Sequence, residues 1–381
     1  MGALCKILAL AAALVLKCSA VWTDKAHAVS DTRPVISEVH GQIGHLILNR
    51  PAQLNTLTLE MIRLLQQQLS AWAEDPTVRV VVLRATGRKA FCAGGDIRAL
   101  YDSFHAGEHG HFDFLQEEYV LDQFIHHYPK PVIGLLDGFV LGGGMGLAQG
   151  CSHRLVTERA RLGMPEVAIG YFPDVCASHF LSGLPGRLGE YLAVTGVHLS
   201  PADALYAGLA DHHVRHADLD RLVDQLQQQD WGDDAFAELN ALLADVVQQP
   251  DDAALPRWRS AIDRHFAAMD VPSIIASLQD VTEPEEAGWA QELVDLLHTR
   301  SPIAMAVSLE LMRRGRGHSL AYCAELEMHL IRQWFTKGDF IEGVRALIVD
   351  KDKQPRWNPP QLELLEPAKV AAFFTEAPEA R

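Results

Sequence analysis

Val132-Ile133-Gly134-Leu135-Leu136-Asp137-Gly138, followed shortly by Leu141-Gly142-Gly143-Gly144-Met145-Gly146-Leu147, decides the fold of this chain. The opening run is short, apolar and without polar alternation, the pattern of a strand buried on both faces. It ends in glycine, and a second glycine cluster follows. The same grammar occurs upstream. The β-branched run Val78 to Leu83 leads into Ala90-Phe91-Cys92-Ala93-Gly94-Gly95-Asp96-Ile97. Between the two, Phe112 to Phe124 is spaced as a helix, with Phe112, Leu115, Tyr119 and Phe124 near one stripe. Ahead of both, Ile43 to Leu48 reads as a short strand. Thr58 to Trp72 reads as an amphipathic helix with Met61, Leu65, Leu69 and Trp72 on one face. Strands joined by long helical crossovers mean βαβ units and a largely parallel sheet, an α/β fold.

After about Gln225 the strand signal nearly stops. Phe236, Leu239, Leu243 and Val246 mark one helix, Trp289, Leu293 and Leu296 a second, and Leu320, Cys323, Leu326, Leu330 and Trp334 a third. Gln248 to Pro256 reads as a loop. The sequence therefore divides into an α/β core over 34–226 and a helical region over 227–381, packed on the core or on a neighbouring subunit.

The 381 residues are 48% hydrophobic and 22% charged, which suits a globular protein with a sizeable core. The formal net charge of −16 argues against nucleic-acid binding, which needs a basic face. The cysteines, Cys5, Cys18, Cys92, Cys151, Cys176 and Cys323, show no C-x-x-C spacing, so reduced thiols and no metal site are expected. The pairs His126-His127 and His212-His213 lack the ligand spacing of a zinc site.

Residues 1–33 are set apart from the fold. Ile7 to Leu16 is an uninterrupted apolar run between Lys6 and Lys17, too short for the ~20 residues that cross a bilayer. It has the length of a signal-peptide core, and Ala26-His27-Ala28 could serve as a cleavage site. The first arginine is Arg33, unlike the Arg-rich leaders of mitochondrial import. A cytoplasmic setting of bacterial type is expected, and this run leaves export or organelle targeting open.

In an open α/β sheet, ligands bind beyond the carboxyl ends of the strands, where both glycine turns fall. Glycine there either permits a tight turn or close packing, or lets backbone N–H groups converge on a ligand as an oxyanion hole. The second cluster lacks the spacing of a dinucleotide fingerprint and the Lys-Ser/Thr ending of a P-loop. A third segment, Met164-Pro165-Glu166-Val167-Ala168-Ile169-Gly170-Tyr171-Phe172-Pro173-Asp174, sets two carboxylates in apolar surroundings. Burial raises a carboxyl pKa toward neutrality, which suits a general base or acid. The plainer reading is a helix cap for Asp174 and a solvated Glu166.

Taken together, A-F-C-A-G-G-D-I, G-G-G-M-G-L and M-P-E-V-A-I-G-Y-F-P-D-V resemble the crotonase (enoyl-CoA hydratase/isomerase) superfamily in order and spacing. The Phe172-Pro173-Asp174 turn, with Asp339-Phe340-Ile341-Glu342-Gly343-Val344-Arg345-Ala346 and Pro355-Arg356-Trp357-Asn358-Pro359, is similar to its 3-hydroxyisobutyryl-CoA hydrolase family. The resemblance runs from about Val35 to about Leu365. It implies a crotonase-like spiral of repeated βαβ units with a helical C-terminal extension, binding acyl-CoA, with no metal or organic cofactor. The oxyanion donors map onto the N–H groups of Gly95 and Gly143, and the working carboxylates onto Glu166 and Asp174. Gly94, Gly142 and Asp102 map near the substrate, Asp102 standing where the family often has a glutamate. Cys176-Ala177-Ser178 replaces the glycines that usually follow F-P-D-V, and Cys176 is read as a packing residue.

The implied activity is hydrolysis of a 3-hydroxyacyl-CoA thioester, as in valine catabolism. Two alternatives stand beside it, hydration or isomerisation of an enoyl-CoA, and a catalytically silent binding module. Arg88, Lys89, Arg98 and Lys130 are candidate contacts for the CoA phosphates. No nucleic-acid or membrane partner of the folded part is expected, and the extension leaves room for a homo-oligomer.

Overall fold

The computed structural model describes residues 32–378, except 249 and 251. The apolar run Ile7–Leu16 lies outside the described residues. From Arg33 onward the chain forms one compact unit.

Strands β1 (Val35–His40), β2 (Ile43–Leu48), β3 (Val80–Ala85), β5 (Val132–Leu136), β7 (His153–Val156) and β9 (His212–His213) form a six-stranded sheet in that order. Only β1–β2 is antiparallel; the other pairs are parallel. Strands β4 (Ala90–Cys92), β6 (Phe139–Leu141) and β8 (Arg161–Gly163) form a second, parallel sheet. From β3 to β8 the chain delivers one strand to each sheet in turn before each crossover, which is the spiral that the resemblance implied. β3 begins at Val80, two residues later than the β-branched run. Val78 is buried, but the ladder to β2 opens only where Ile43 pairs with Val80, and it extends to Ala85 opposite Leu48.

The large sheet is covered on both faces, which explains why its strands read as continuous apolar runs. Val81, Leu83, Val132 and Leu136 face the main core, where helix α1 (Leu59–Glu74) packs Met61, Leu65, Leu69 and Trp72. Thr58 caps α1 by accepting from the Met61 N–H, a contact worth about 1 kcal/mol. Ile43, Val80, Val82, Ile133 and Leu135 face the other way, against Leu222 and Leu226 at the end of the core and Trp231, Leu239 and Leu243 of the helical region. Fully burying one such side chain contributes ~1.5–3 kcal/mol.

Helix α2 (Ile97–His105) follows the first glycine turn, and α3 (Gly110–His126) crosses back to β5. Helix α4 (Gly143–Gly150) springs from the second glycine turn and packs along α3. Beyond Gln229 the described elements are helical, and several pack into the main core.

Candidate active site

The two glycine turns touch. Gly94 and Gly142 adopt φ of +104° and +51°, which only glycine takes readily, and a Cβ on Gly142 would lie 3.5 Å from the Gly94 Cα. Gly143 opens α4, so its N–H precedes the helical ladder, whose first bonds run from Met145 and Gly146 to the Gly142 carbonyl. Leu57 donates to the Gly94 carbonyl and accepts from the Asp96 N–H, passing over Gly95. Among the described residues neither the Gly95 nor the Gly143 N–H has a partner.

A cavity of about 340 Å³ opens beside these N–H groups, and its wall includes Gly95, Gly143, Glu118, Glu166 and Asp174. That is a normal size for a small-molecule site. Phe114 and Leu115 of α3, Tyr171, and Phe335 and Phe340 of the helical region supply apolar lining. The C-terminal region therefore builds part of the pocket.

Glu166 is the first residue of a 3-10 turn, Glu166–Ile169, and is buried, with Oε2 unpartnered among the described residues. Its Oε1 lies 2.8 Å from where a Gly142 Cβ would be, close against the oxyanion turn. Burial, and then the nearby Asp174, hold its pKa well above the usual carboxylate value. Asp174 is raised to about 8, by burial and then by Glu327. Two interacting carboxyls of this kind titrate as a pair.

The structure adds carboxyls that the sequence motifs did not single out. Glu118 lines the same cavity, and its Oε1 occupies the place where a Gly143 side chain would begin. Asp122, one turn further along α3, has neither oxygen hydrogen-bonded among the described residues. Both are pushed well up, Glu118 by burial and Asp122, Asp122 by burial and Asp174. A signal existed: Glu118 and Asp122 continue at i+4 spacing from the buried Phe114, putting carboxylates on an apolar stripe. Glu117 beside them points outward and pairs with Arg63.

Other expected residues stay outside. Ile97 and Leu100 turn the inner face of α2 to the cavity, so Asp102 falls on the outer face, where it is exposed and paired with Arg98 at 2.9 Å. Asp102 therefore does not join the site. Arg88 and Lys89 are exposed, and Lys130 donates to the carbonyls of Trp72 and Asp75 at the end of α1. Cys176 is buried, and burial raises its thiol far above the ordinary value, which agrees with packing. No helix of the described residues is long and apolar enough to cross a membrane.

The sequence profile of the enoyl-CoA hydratase/isomerase family matches residues 43–374. A 3-hydroxyisobutyryl-CoA hydrolase, named as mitochondrial, from Xenopus tropicalis is 36% identical over 355 residues, covering 92% of this chain and 90% of its own. 3-Hydroxyisobutyryl-CoA hydrolase 1 of Arabidopsis thaliana is 37% identical over 347 residues, 89% of this chain and 91% of its own. Among solved structures, one described as an enoyl-CoA hydratase from Rhodobacter sphaeroides superposes with a TM-score of 0.81 at 37% identity, over 90% of this chain and 97% of that one. Another, described as a carnitinyl-CoA dehydratase from Mycobacterium thermoresistibile, gives 0.83 at 37% identity, over 91% and 97%.

Proposed function

This chain belongs to the enoyl-CoA hydratase/isomerase family, and on that premise we propose that it hydrolyses a 3-hydroxyacyl-CoA thioester, above all 3-hydroxyisobutyryl-CoA, to the free acid and CoA. That is the thioester hydrolysis of valine catabolism. One observation carries the reading: a single cavity joins two unpartnered glycine N–H groups to two carboxyls whose pKa burial raises.

The thioester oxygen sits between the Gly95 and Gly143 N–H groups, with Gly94 and Gly142 shaping the turns. Negative charge grows on that oxygen during attack, and each such donor lowers the barrier by ~3–4 kcal/mol. Glu166, against Gly142, delivers the attack on the carbonyl carbon, as nucleophile through an anhydride or by taking a proton from water. The C–S bond breaks and the CoA thiolate takes up a proton. On the water route the acyl group keeps the water oxygen as the free acid; on the anhydride route a water then cleaves the anhydride, releasing the acid and restoring the Glu166 carboxylate. Asp174 receives the 3-hydroxyl of the acyl group. Glu118, whose pKa burial and Asp122 push upward, stands in the cavity wall within reach of the acyl end of the substrate. Nothing in this sequence of steps calls for a metal or organic cofactor.

Hydration of an enoyl-CoA is the competing chemistry of the fold. In hydratases of the superfamily a carboxylate stands on the helix after the G-G-G turn, and here that position is Gly146. The buried free thiols Cys92, Cys151, Cys176 and Cys323 support a reducing, cytoplasm-like setting for the reaction.

The test is thiol release from 3-hydroxyisobutyryl-CoA and 3-hydroxypropionyl-CoA, beside loss of enoyl absorbance from crotonyl-CoA and methacrylyl-CoA. Hydrolysis is expected to dominate. Hydration faster than hydrolysis would overturn the reading.

A further inference from the structure

The segment that carries Glu166 and Asp174 ends in an unfavourable turn. Ala177 N–H donates to the Asp174 carbonyl at 2.9 Å, and both central residues, Val175 and Cys176, have positive φ, +51° and +65°. Glycine or asparagine is the usual occupant of such positions, and a β-branched residue there is a genuine outlier. Strain of this kind persists only where the surroundings over-determine it. What over-determines it here comes from far along the chain.

Helix Leu320–Lys337 places Glu327, fully buried, beneath this turn. Its carboxylate accepts four hydrogen bonds, from the N–H groups of Cys176 and Ser178 (2.7 Å each) and from the hydroxyls of Ser178 and Tyr119. The Tyr119 hydroxyl in turn accepts from the Val175 N–H at 3.1 Å. Every N–H from Val175 to Ser178 is thereby committed, that of Ala177 to Asp174 and the rest to Glu327 or Tyr119. Seven residues on, on the same face of the helix, Trp334 donates from Nε1 to the Gly170 carbonyl at 2.9 Å. One helix therefore grips the Glu166–Ser178 segment at two points.

We propose that Glu327 is a positioning residue of the active site: it holds the Val175-Cys176 turn in the geometry that presents Asp174 to the acyl pocket. A helix of the C-terminal region, not the α/β core, then sets the catalytic geometry. The inference rests on the proposed role of Asp174 and adds a second effect. Asp174 faces Glu166, Tyr171 and Cys176 from its own segment, Glu118, Tyr119 and Asp122 from α3, and Glu327 from the C-terminal helix. Of these, Glu327 contributes the leading electrostatic push on the Asp174 pKa. Four donors make Glu327 the best-stabilised anion of the group, although burial still raises it to about 7.

The test is Glu327→Gln, read in two ways. The Asp174 carboxyl is followed by carbon NMR of aspartate-labelled protein, with Asp174→Asn identifying its signal, and kcat/KM for CoA release is followed against pH. Removing the charge is expected to move both the NMR titration and the matching limb of the profile to lower pH by a unit or more. The broken hydrogen bonds are expected to lower kcat at least tenfold, with KM changed less than threefold. A folded Glu327→Gln protein that keeps wild-type kcat, or whose Asp174 titration stays in place, overturns the proposal. If Glu327→Gln does not fold, Tyr119→Phe decides. It removes the Val175 acceptor, and a tenfold loss of kcat at unchanged KM supports the proposal, while wild-type kcat overturns it. The NMR reading needs no substrate, so wild-type protein that released no CoA would overturn the hydrolase reading alone.

Discussion

A Cβ added to Gly146 would lie 2.6 Å from Oδ2 of Asp122 and 2.8 Å from Cβ of Val175. The glycine of α4 is thus the gap into which α3 pushes a carboxyl and the Asp174 turn pushes a valine. Any side chain at this position of α4 requires Asp122 or Val175 to shift. Gly146→Ala should destabilise the protein by about 1–3 kcal/mol, the ordinary cost of overpacking. It should also lower kcat by displacing Val175, next to Asp174. Asp122→Ala added to it should recover part of the stability but not the activity, because the valine contact remains. Denaturant unfolding of the two single variants and the double variant gives the coupling. A Gly146→Ala protein as stable as wild type would mean that α3 and α4 separate more easily than their contact implies.

Glu166→Gln should leave the thermal midpoint within a few degrees and reduce kcat for CoA release about 10²-fold or more. The amide keeps the volume but can neither attack nor take a proton, and general base catalysis alone contributes ~10²–10⁴-fold. Oε2 of Glu166 has no partner among the described residues, so little native bonding is lost. Retention of more than a tenth of wild-type kcat would remove Glu166 from the chemistry.

The glycine turns, Glu166 and Asp174 were legible in the sequence because each sits in a local motif whose backbone shape follows from glycine and proline. The strands of the large sheet were legible because burial on both faces leaves unbroken apolar runs, as in Val132–Leu136. Glu327 was not, since it lies on a distant helix and reaches the Asp174 turn only through tertiary packing, and Glu118 was marked only by its i+4 place after Phe114. Adjacent Glu117 and Glu118 look alike in sequence, yet one pairs with Arg63 at the surface and the other is buried. Asp102 failed for the converse reason. Its spacing from Arg98 is that of a surface ion pair one helical turn apart, and the face of α2 that meets the cavity is the one bearing Ile97 and Leu100.

Asp122→Asn should change the pH dependence of stability. The folded pKa of Asp122 lies well above its ordinary 3.8, because of burial and then Asp174. The native state therefore holds a proton that the unfolded chain gives up above pH 4. The contribution of this group is complete below the unfolded pKa and is lost as pH rises toward the folded one. Asparagine has no proton to hold, so the stability of the variant relative to wild type should grow with pH above 4. The slope is at most about 1.4 kcal/mol per pH unit. Urea melts at pH 5, 6.5 and 8 check it. A constant or shrinking difference would mean that Asp122 is ionised in the native protein.

Asp174→Asn should cost more with 3-hydroxyacyl esters than with their unsubstituted counterparts. Asp174 lies in the cavity wall with Glu166 and Glu118, and none of its described hydrogen bonds ties its carboxyl to another side chain, so it can meet a substrate hydroxyl there. A site built to pair a substrate hydroxyl rejects the analogue lacking it, because its own polar group is then left unpaired. The wild-type protein should therefore prefer 3-hydroxyisobutyryl-CoA to isobutyryl-CoA. In Asp174→Asn that preference in kcat/KM should fall at least tenfold, since the amide reproduces the carboxyl only in part. Measured with Glu166→Gln as the control for chemistry, the ratio separates the two roles. If both esters lose the same fraction of kcat/KM, Asp174 serves bond-making or proton transfer and the hydroxyl is held elsewhere in the pocket, with Glu118 the next residue to test.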